Sequence, residues 1–264
     1  MKLVKVSSLL TYLGIPLVGA SVALNFFLFG QLKKYYIELN QVRLDPLGLS
    51  YYNPAPKRDD KGATKRVVIL GDSRAADWDV PNVDGYELIN RGVGGQTSAQ
   101  VSQRFDFHLE NVEPDIVIIQ VGINDLKAIP LMPDSRNSII DLCRANIRQM
   151  VEDSKALGAT VIVTTILPVG EVPLIRQPVW SDDIAQAIYE VNGYIDSLDD
   201  DDQVIVFDGF SAIADGQGLI PEDHRKDELH LNKQGYITLN EAFVEFLNTA
   251  EIPINSADSE EQTS

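Results

Sequence analysis

Apolar and polar residues alternate along the chain in blocks of two kinds. Five short runs are mainly apolar and rich in β-branched residues, which is typical of strands buried on both faces of a parallel sheet. These runs lie at residues 67–70, 86–91, 115–121, 160–166 and 204–207. The segments that follow them carry apolar residues at helical spacing. The alternation predicts an α/β fold, in which helices cover both faces of a five-stranded parallel sheet.

The predicted helices rest on apolar residues that recur every three or four positions. His108 falls beside the stripe of the first helix and is expected on its exposed side. Cys143 lies on the stripe of the second helix and is expected to be a small buried apolar residue. Gly158 follows that helix at the position of a C-terminal cap. The helices are predicted at residues 101–109, 140–151, 184–198 and 236–247.

A long apolar segment precedes this pattern, with no charged residue between positions 6 and 32. Residues 9–30 would span about 33 Å as a helix, enough to cross a bilayer core. Lys2 and Lys5 favour a cytoplasmic N-terminus. A cleaved signal peptide is the alternative, but the apolar run continues past its small-residue site at 21–23. We therefore expect residues 1–34 to be a single membrane anchor, with the rest of the chain periplasmic or extracellular, rather than secreted after cleavage.

Three further boundaries follow from composition. Residues 35–64 contain Pro46, Pro54 and Pro56 and are expected to form a juxtamembrane linker, whose apolar part near residues 47–52 packs against the domain. Residues 65–250 form the predicted α/β domain. Residues 251–264 are polar and acidic and are expected to be disordered.

The charge and the cysteine count exclude several classes of protein. The formal net charge of −17 argues against nucleic-acid binding, which needs a basic surface. The single cysteine excludes an internal disulfide and a multi-cysteine metal site. We expect no cofactor and no metal. Oligomeric state is left open by the sequence.

Candidate chemistry lies where the predicted strands end. The loops at residues 71–73, 92–95 and 122–125 each follow a strand, so they converge on one edge of a parallel sheet. Ser73 is a candidate nucleophile there, although Gly-Asp-Ser is also an ordinary helix-capping sequence. A serine hydroxyl needs a base, and an aspartate three residues before a histidine can fix the histidine tautomer.

Two histidines compete for the role of base. His230 follows Asp227 at that spacing, within Asp227-Glu228-Leu229-His230. His224 has no acid three residues ahead of it and is the weaker candidate.

Four short blocks, in order along the chain, resemble those of the SGNH (GDSL-like) hydrolases. The blocks are Gly-Asp-Ser-Arg at 71–74, Asn-Arg-Gly-Val-Gly-Gly-Gln-Thr at 90–97, Gly-Ile-Asn-Asp at 122–125 and Asp-Glu-Leu-His at 227–230. The resemblance implies a flavodoxin-like three-layer α/β/α sandwich.

The resemblance also implies a role for each matching residue. Ser73 would be the nucleophile, His230 the base and Asp227 its partner. The N–H groups of Ser73 and Gly95 and the side-chain amide of Asn124 would form the oxyanion hole. Arg74 stands where the family motif has leucine, which makes it unsafe to transfer a substrate from relatives.

Other polar residues near these loops carry weaker hypotheses. Asp72 is expected to brace its turn, and Asp125 to cap the segment that follows it. Arg74 and Arg91 are candidates for binding an anionic group of a substrate, although pairing with Asp72, Asp77 or Asp79 is favoured. Trp180 ends a proline-rich segment at residues 167–183, which is the best candidate for a lid that contacts the substrate.

The sequence therefore predicts a membrane-anchored serine esterase that acts on a small-molecule or glycan ester. An O-acetyl transferase or deacetylase acting on cell-envelope carbohydrate is a second hypothesis. A binding module that keeps the fold without activity is a third. The acyl and alcohol groups of the substrate cannot be read from the sequence.

Overall fold

We analysed a computed structural model of the chain, which describes residues 3–53, 64–81, 85–109 and 111–250. Two compact units are present, Met1–Gly48 and Leu49–Ser264. The predicted disordered tail at 251–264 and two prolines of the predicted linker, Pro54 and Pro56, lie outside the described residues.

The first unit contains one long helix, α1, Leu3–Leu44. Its 42 residues span about 63 Å at ~1.5 Å per residue. Residues 35–44, predicted as the start of a linker, continue this helix, which ends just before Pro46. Proline disfavours helical backbone at the residue before it, so Pro46 marks where helix can no longer propagate. Within the described residues, Gly14–Leu44 is long and apolar enough to cross a membrane, a test that signal sequences near an N-terminus also pass.

The second unit is built on one sheet of five parallel strands, in the order β2-β1-β3-β4-β5. This confirms the predicted sheet. Gly71 pairs with Gly92 on one side and Gln120 on the other, so the first three strands end together. The strands are β1 Lys65–Gly71, β2 Tyr86–Gly92, β3 Ile116–Gln120, β4 Thr160–Thr164 and β5 Val204–Phe207.

Helices cover both faces of the sheet and complete the three-layer sandwich. The helices are α2 Ser73–Ala76, α3 Ser98–Gln103, α4 Phe105–Leu109, α5 Ile123–Leu126, α6 Arg136–Ala156, α7 Asp183–Asp196, α8 Gly209–Ile213 and α9 Lys233–Thr249. Val68 and Leu70 of β1 face one core, with apolar residues of α3, α4, α6 and α7, whereas Val67 and Ile69 face the other, with residues of α8 and α9.

The predicted helix at 101–109 is in fact two short helices, which are separated at Arg104. His108 is 4 % exposed, so the prediction that it lies on the surface is wrong. Its ring packs edge-on against Tyr52, from the segment before β1. Cys143 is buried and Gly158 has φ +79°, as predicted for a buried apolar position and a helix C-terminus.

Candidate active site

Ser73 lies at the sharp turn that joins β1 to α2. Gly71 is required there, because a Cβ at this position would lie 2.0 Å from the carbonyl oxygen of Gln120. Asp72 braces the turn as predicted, since its Oδ1 accepts a hydrogen bond of 2.9 Å from the N–H of Arg74. Burial raises the pKa of Asp72 to about 6, against the opposing charge of Arg74. Ser73 is thereby held as the first residue of α2, facing the edge where the loops meet.

The loop before α9 brings His230 to this serine. His230 Nε2 lies 2.9 Å from Ser73 Oγ. His230 Nδ1 lies 2.9 Å from both carboxylate oxygens of Asp227. The structure therefore brings together the serine, histidine and aspartate that were predicted as a set.

Asp227 is itself held by the backbone that follows it. Its Oδ1 accepts hydrogen bonds of 2.8 Å from the N–H groups of Leu229 and His230. Burial alone would raise the pKa of this carboxyl group, but the hydrogen bonds from Leu229, the His230 ring and His230 N–H outweigh burial and lower it. The carboxylate is consequently ionised at neutral pH.

His224, the competing candidate, lies elsewhere. Its Nδ1 lies 2.8 Å from Asp223 Oδ1, and its Nε2 lies 2.9 Å from Thr238 Oγ1. Both ring nitrogens are thus engaged away from Ser73. His224 does have a carboxylate partner, the neighbouring Asp223, which the rule of an acid three residues ahead did not predict.

The loop after β2 passes directly beside Ser73. A Cβ on Gly94 would lie 3.9 Å from Ser73 Cβ. Gly95 has φ +78°, a conformation that favours glycine, and is exposed. This exposure leaves the Gly95 backbone accessible to a ligand next to the serine.

Asn124 follows β3 and is 6 % exposed. Its Nδ2 donates a hydrogen bond of 2.9 Å to the carbonyl oxygen of Gln96. A side-chain amide carries two N–H groups, so one remains without a protein partner among the described residues. The contact also fixes the loop after β3 to the loop after β2.

Arg74 does not have the predicted role. It is 2 % exposed, and its side chain donates hydrogen bonds to three carbonyl oxygens. A side chain enclosed in this way cannot reach a substrate, and its acceptors are carbonyls rather than the carboxylates favoured as the alternative. The acceptors are Leu229 O at 2.8 Å, Leu167 O at 2.7 Å and Pro168 O at 2.9 Å.

Arg91 is also buried, at 7 % exposed, with its Cζ 5.0 Å from the centre of the Tyr52 ring. Burial lowers the pKa of this guanidinium, and Tyr52 opposes the shift. Among the described residues no carboxylate forms an ion pair with it. The predicted contact with an anionic substrate group is therefore not supported by this geometry, and neither is the favoured pairing with an aspartate.

Asp125 was predicted to cap the segment that follows it, but its carboxylate is engaged elsewhere. Its carboxylate accepts hydrogen bonds from Ser98 N at 2.8 Å and Ser98 Oγ at 2.7 Å, and so holds the start of α3. Within the described residues, no group of three or more His, Cys, Asp or Glu side chains is placed to hold a metal ion.

The segment at 167–183 borders the loop that carries Asp227. An open groove of about 720 Å³ lies between them, and two ion pairs cross it, Arg225 to Glu171 at 2.9 Å and Arg176 to Glu228 at 3.1 Å. Trp180 is half-buried against the core and lines a separate groove of about 400 Å³. Contact between Trp180 and a substrate stays a prediction.

Two buried residues behind the site, Arg104 and Gln96, were missed from the sequence. Arg104 donates to Gln96 Oε1 at 2.5 Å and to Gly71 O at 2.9 Å, and so joins the loop after β2 to the end of β1. The position of Arg104 next to Phe105 on an apolar stripe was the available signal, because a charged residue there must bury its head group in contact with acceptors.

A serine, a histidine and an aspartate in hydrogen-bond contact, at the carboxyl edge of a parallel sheet in an α/β/α sandwich, are the features of a hydrolase. A sequence profile of the GDSL-like lipase/acylhydrolase family matches residues 67–236. The chain belongs to this family, and it is an ester-hydrolysing enzyme. A search of curated proteins finds no significant match.

Solved structures with the same fold include enzymes of this class. A candidate acylhydrolase from Bacteroides fragilis NCTC 9343 is 27 % identical, with a TM-score of 0.59, covering 73 % of this chain and 90 % of its own. A GDSL-like lipase from Bacteroides thetaiotaomicron is 24 % identical, with a TM-score of 0.59 over 78 % of this chain and 96 % of its own. A catalytic mutant of an acetylxylan esterase from Geobacillus stearothermophilus is 19 % identical, with a TM-score of 0.57 over 70 % and 94 %.

Proposed function

We propose that the chain is a serine esterase in which Ser73 is the nucleophile, His230 the general base and Asp227 the residue that orients it. The observation that carries this proposal is the contact of 2.9 Å between Ser73 Oγ and His230 Nε2, continued from His230 Nδ1 to Asp227. The carboxylate accepts a hydrogen bond from Nδ1–H, which keeps the proton on Nδ1, so Nε2 is unprotonated and faces the hydroxyl.

The reaction then has two halves. Ser73 Oγ attacks the ester carbonyl carbon while its proton passes to His230 Nε2. The tetrahedral intermediate collapses, the bond to the alcohol breaks, and His230 returns the proton to the leaving alcohol. A water molecule attacks the resulting acyl-serine with His230 again as base, which releases the carboxylic acid and restores the hydroxyl.

The oxyanion would be stabilised by the N–H groups of Ser73 and Gly95 and by the free N–H of Asn124 Nδ2. These groups lie on three loops that meet at one edge, and the Asn124 side chain is fixed in advance by its bond to Gln96 O. Donors that are held in place before the charge develops cost little to reorganise, which is why such sites contribute strongly to rate.

Two substrate classes are candidates, simple acyl esters and acetylated carbohydrates. One observation supports an acetylated carbohydrate as substrate: the acetylxylan esterase from Geobacillus stearothermophilus shares the fold. A deacetylase or O-acetyl transferase of cell-envelope carbohydrate is therefore the second candidate. A panel of acetylated glycans, assayed for acetate released and for acetyl moved to a second sugar, separates these from a general esterase.

The test of the proposal uses the full chain in a mild nonionic detergent. We expect turnover of p-nitrophenyl acetate and butyrate and covalent labelling by a fluorophosphonate, both abolished by Ser73→Ala. Cys143→Ser is the control for the other nucleophilic side chain, since Cys143 is buried and its thiol pKa is raised by burial. Labelling that survives Ser73→Ala would contradict the proposal.

We further propose that α1 anchors the enzyme to a membrane, with the hydrolase unit outside the cytoplasm. The support is the uncharged run at residues 6–32 after Lys2 and Lys5, within one continuous helix. An uncleaved anchor and a cleaved signal sequence both fit an N-terminal apolar helix, and they differ in whether the mature protein keeps that helix.

A further inference from the structure

The peptide at residues 49–53 precedes the region matched by the family profile, yet it belongs to the compact unit that contains the sheet. Within this peptide, Tyr52 contacts the sheet and the helix that carries His108. The Tyr52 hydroxyl donates a hydrogen bond of 2.6 Å to the carbonyl oxygen of Gly92. Its neighbour Tyr51 is 65 % exposed, and within the described residues its only ring contact is with Tyr52. Of the two adjacent tyrosines, Tyr52 is therefore the one that contacts the end of β2.

Gly92 is where the loop beside the catalytic serine begins. It is the last residue of β2, and Val93, Gly94 and Gly95 follow. Gly92 also packs against the helix that carries Ser73, because a Cβ on Gly92 would lie 2.2 Å from the N atom of Ala76. Any displacement of Gly92 would consequently move both the loop and its contact with α2.

The carbonyl of Gly92 needs a donor from outside the sheet. β2 is at the edge of the sheet, where half of the backbone groups have no neighbouring strand. A backbone carbonyl that is buried without a donor is costly, so edge positions of this kind are satisfied by side chains or water. The Tyr52 hydroxyl supplies this donor to Gly92 O. On the opposite side, the chain is joined to β1 by the N–H of Val93, which donates to Gly71 O at 3.0 Å.

The Tyr52 ring is fixed by what lies beneath it. Arg91 Cζ lies 5.0 Å from the ring centre, a cation–π distance, and the His108 ring meets it edge-on with centres 6.0 Å apart. Burial, and then the charges of Arg104 and Arg91, lower the pKa of His108 to about 4, so this ring is neutral and packs as an aromatic surface. Among the described residues, Arg91 Nε and His108 Nε2 are buried without a hydrogen-bond partner. The Tyr52 ring thus covers Arg91 and His108, each of which has one buried ring or guanidinium nitrogen without a hydrogen-bond partner among the described residues.

We propose that Tyr52 is a positioning residue for the oxyanion hole. Its ring is held against Arg91 and His108, its hydroxyl holds the carbonyl of Gly92, and these contacts together set the direction of the Gly95 N–H. This inference rests on the proposed function for the role of Gly95. Tyr52 acts through Gly92 and does not touch the substrate.

The experiment compares Tyr52→Phe with Tyr51→Phe in the full chain in detergent. Both changes remove one hydroxyl and keep the ring, so they are matched. We expect Tyr52→Phe to lower kcat by about three- to ten-fold, the effect of losing one ordinary hydrogen bond, with KM changed by less than about two-fold. Tyr51→Phe should leave both constants at the wild-type value.

A second measurement does not depend on turnover. Hydrogen–deuterium exchange is followed in peptides that cover residues 92–97, in a Ser73→Ala background with and without Tyr52→Phe. We expect exchange at Val93 and Gln96, whose N–H groups donate to Gly71 O and Val93 O, to rise only when Tyr52 is changed, and exchange in β3 to stay constant. This readout still decides the proposal if no ester proves to be a substrate.

Two results would overturn the proposal that Tyr52 positions this loop. One is equal kcat and equal loop exchange in the Tyr52→Phe, Tyr51→Phe and wild-type proteins. The other is a loss of activity with a raised KM, a lower melting temperature and uniformly faster exchange across the sheet, which would make Tyr52 a general stabilising residue.

Discussion

Two histidines, each hydrogen-bonded to a carboxylate, give the sharpest prediction at the scale of single residues. His230 faces Ser73, whereas His224 bridges Asp223 and Thr238. His230→Ala should lower kcat by about 10⁴-fold or more, because the serine loses its base. His224→Ala should leave kcat within about two-fold and cost about 1 kcal/mol of stability from its lost hydrogen bonds. Steady-state kinetics on p-nitrophenyl acetate, with circular dichroism to confirm folding, compares them; a dead His224→Ala beside a near-normal His230→Ala would contradict the assignment.

Asp72 gives a prediction for pH dependence. Its pKa is about 6 in the folded state, against an ordinary value of 3.8, because of burial. The folded state therefore binds this proton more tightly than the unfolded chain, so its contribution to stability is complete below about pH 4 and is lost as pH rises through about 6. Asp72→Asn removes this dependence and keeps a side-chain oxygen for the N–H of Arg74.

The difference in unfolding free energy between Asp72→Asn and wild type should therefore move in favour of the variant by up to about 3 kcal/mol between pH 4 and pH 7. Urea unfolding followed by tryptophan fluorescence at both pH values measures it. Titrating groups that do not interact with Asp72 are common to the two proteins and cancel. A difference that stays constant with pH, or moves against the variant, would show that the Asp72 pKa is not raised.

The residues that sequence analysis placed wrongly are those whose partners lie far away along the chain. Arg74 donates to carbonyls 93, 94 and 155 positions away, and a carbonyl acceptor leaves no signature in the sequence. Ser73, Asp227 and His230 came together as predicted, because the serine is fixed by a strand end and the aspartate–histidine pair is local. The prediction for Asp125 was right in part: its carboxylate does accept a backbone N–H at a helix start, but at α3 rather than in the segment that follows it.

At the scale of elements, the strands were predictable and their polar ends were not. Residues 204–207 matched β5, but β1 begins two residues before the apolar run. Arg66, in that extension, is buried by its contacts with Glu87 at 2.8 Å and Val112 O at 3.0 Å. The predicted helix at 101–109 is likewise interrupted at Arg104, whose side chain turns inward to donate to Gly71 O, a contact that periodicity does not encode.

The packing of α2 against β2 predicts unequal effects for two glycines. Gly92→Ala places a Cβ 2.2 Å from backbone, so we expect a loss of about 1–3 kcal/mol or more in unfolding free energy, with lower kcat because α2 carries Ser73. Gly193 lies exposed inside α7, and a Cβ added there would have no neighbouring atom within 4 Å. Gly193→Ala should therefore be neutral or gain about 0.5–1 kcal/mol from helix propensity.

Thermal unfolding and esterase kinetics of the two glycine variants test this prediction together. Equal melting temperatures for Gly92→Ala and wild type would mean that the loop and α2 can separate without cost. That result would also weaken the inference that Gly92 transmits the position of Tyr52 to the loop.

At the scale of the whole molecule, the chain combines a strongly acidic composition with one long apolar helix. The net charge is −17, yet large apolar side chains of α1 are exposed in the described part of the chain, for example Phe26 at 76 % and Leu17 at 68 %. Exposed apolar area costs roughly 25 cal/mol per Å² in water, so a helix of this length needs a covering medium. A bilayer core of about 30 Å covers about 20 helical residues, fewer than α1 contains.

The last prediction separates an anchor from a cleaved signal sequence. We expect the full-length chain to stay in the pellet after alkaline carbonate extraction, and the hydrolase unit to be digested when protease is added to intact spheroplasts. Ala23→Phe is the matched variant, because a bulky side chain blocks cleavage at a small-residue site. An anchor should show the same size and fractionation with either residue, since no cleavage takes place. A wild-type chain that begins near Leu24, together with accumulation of the longer form in Ala23→Phe, would instead establish export with removal of the helix.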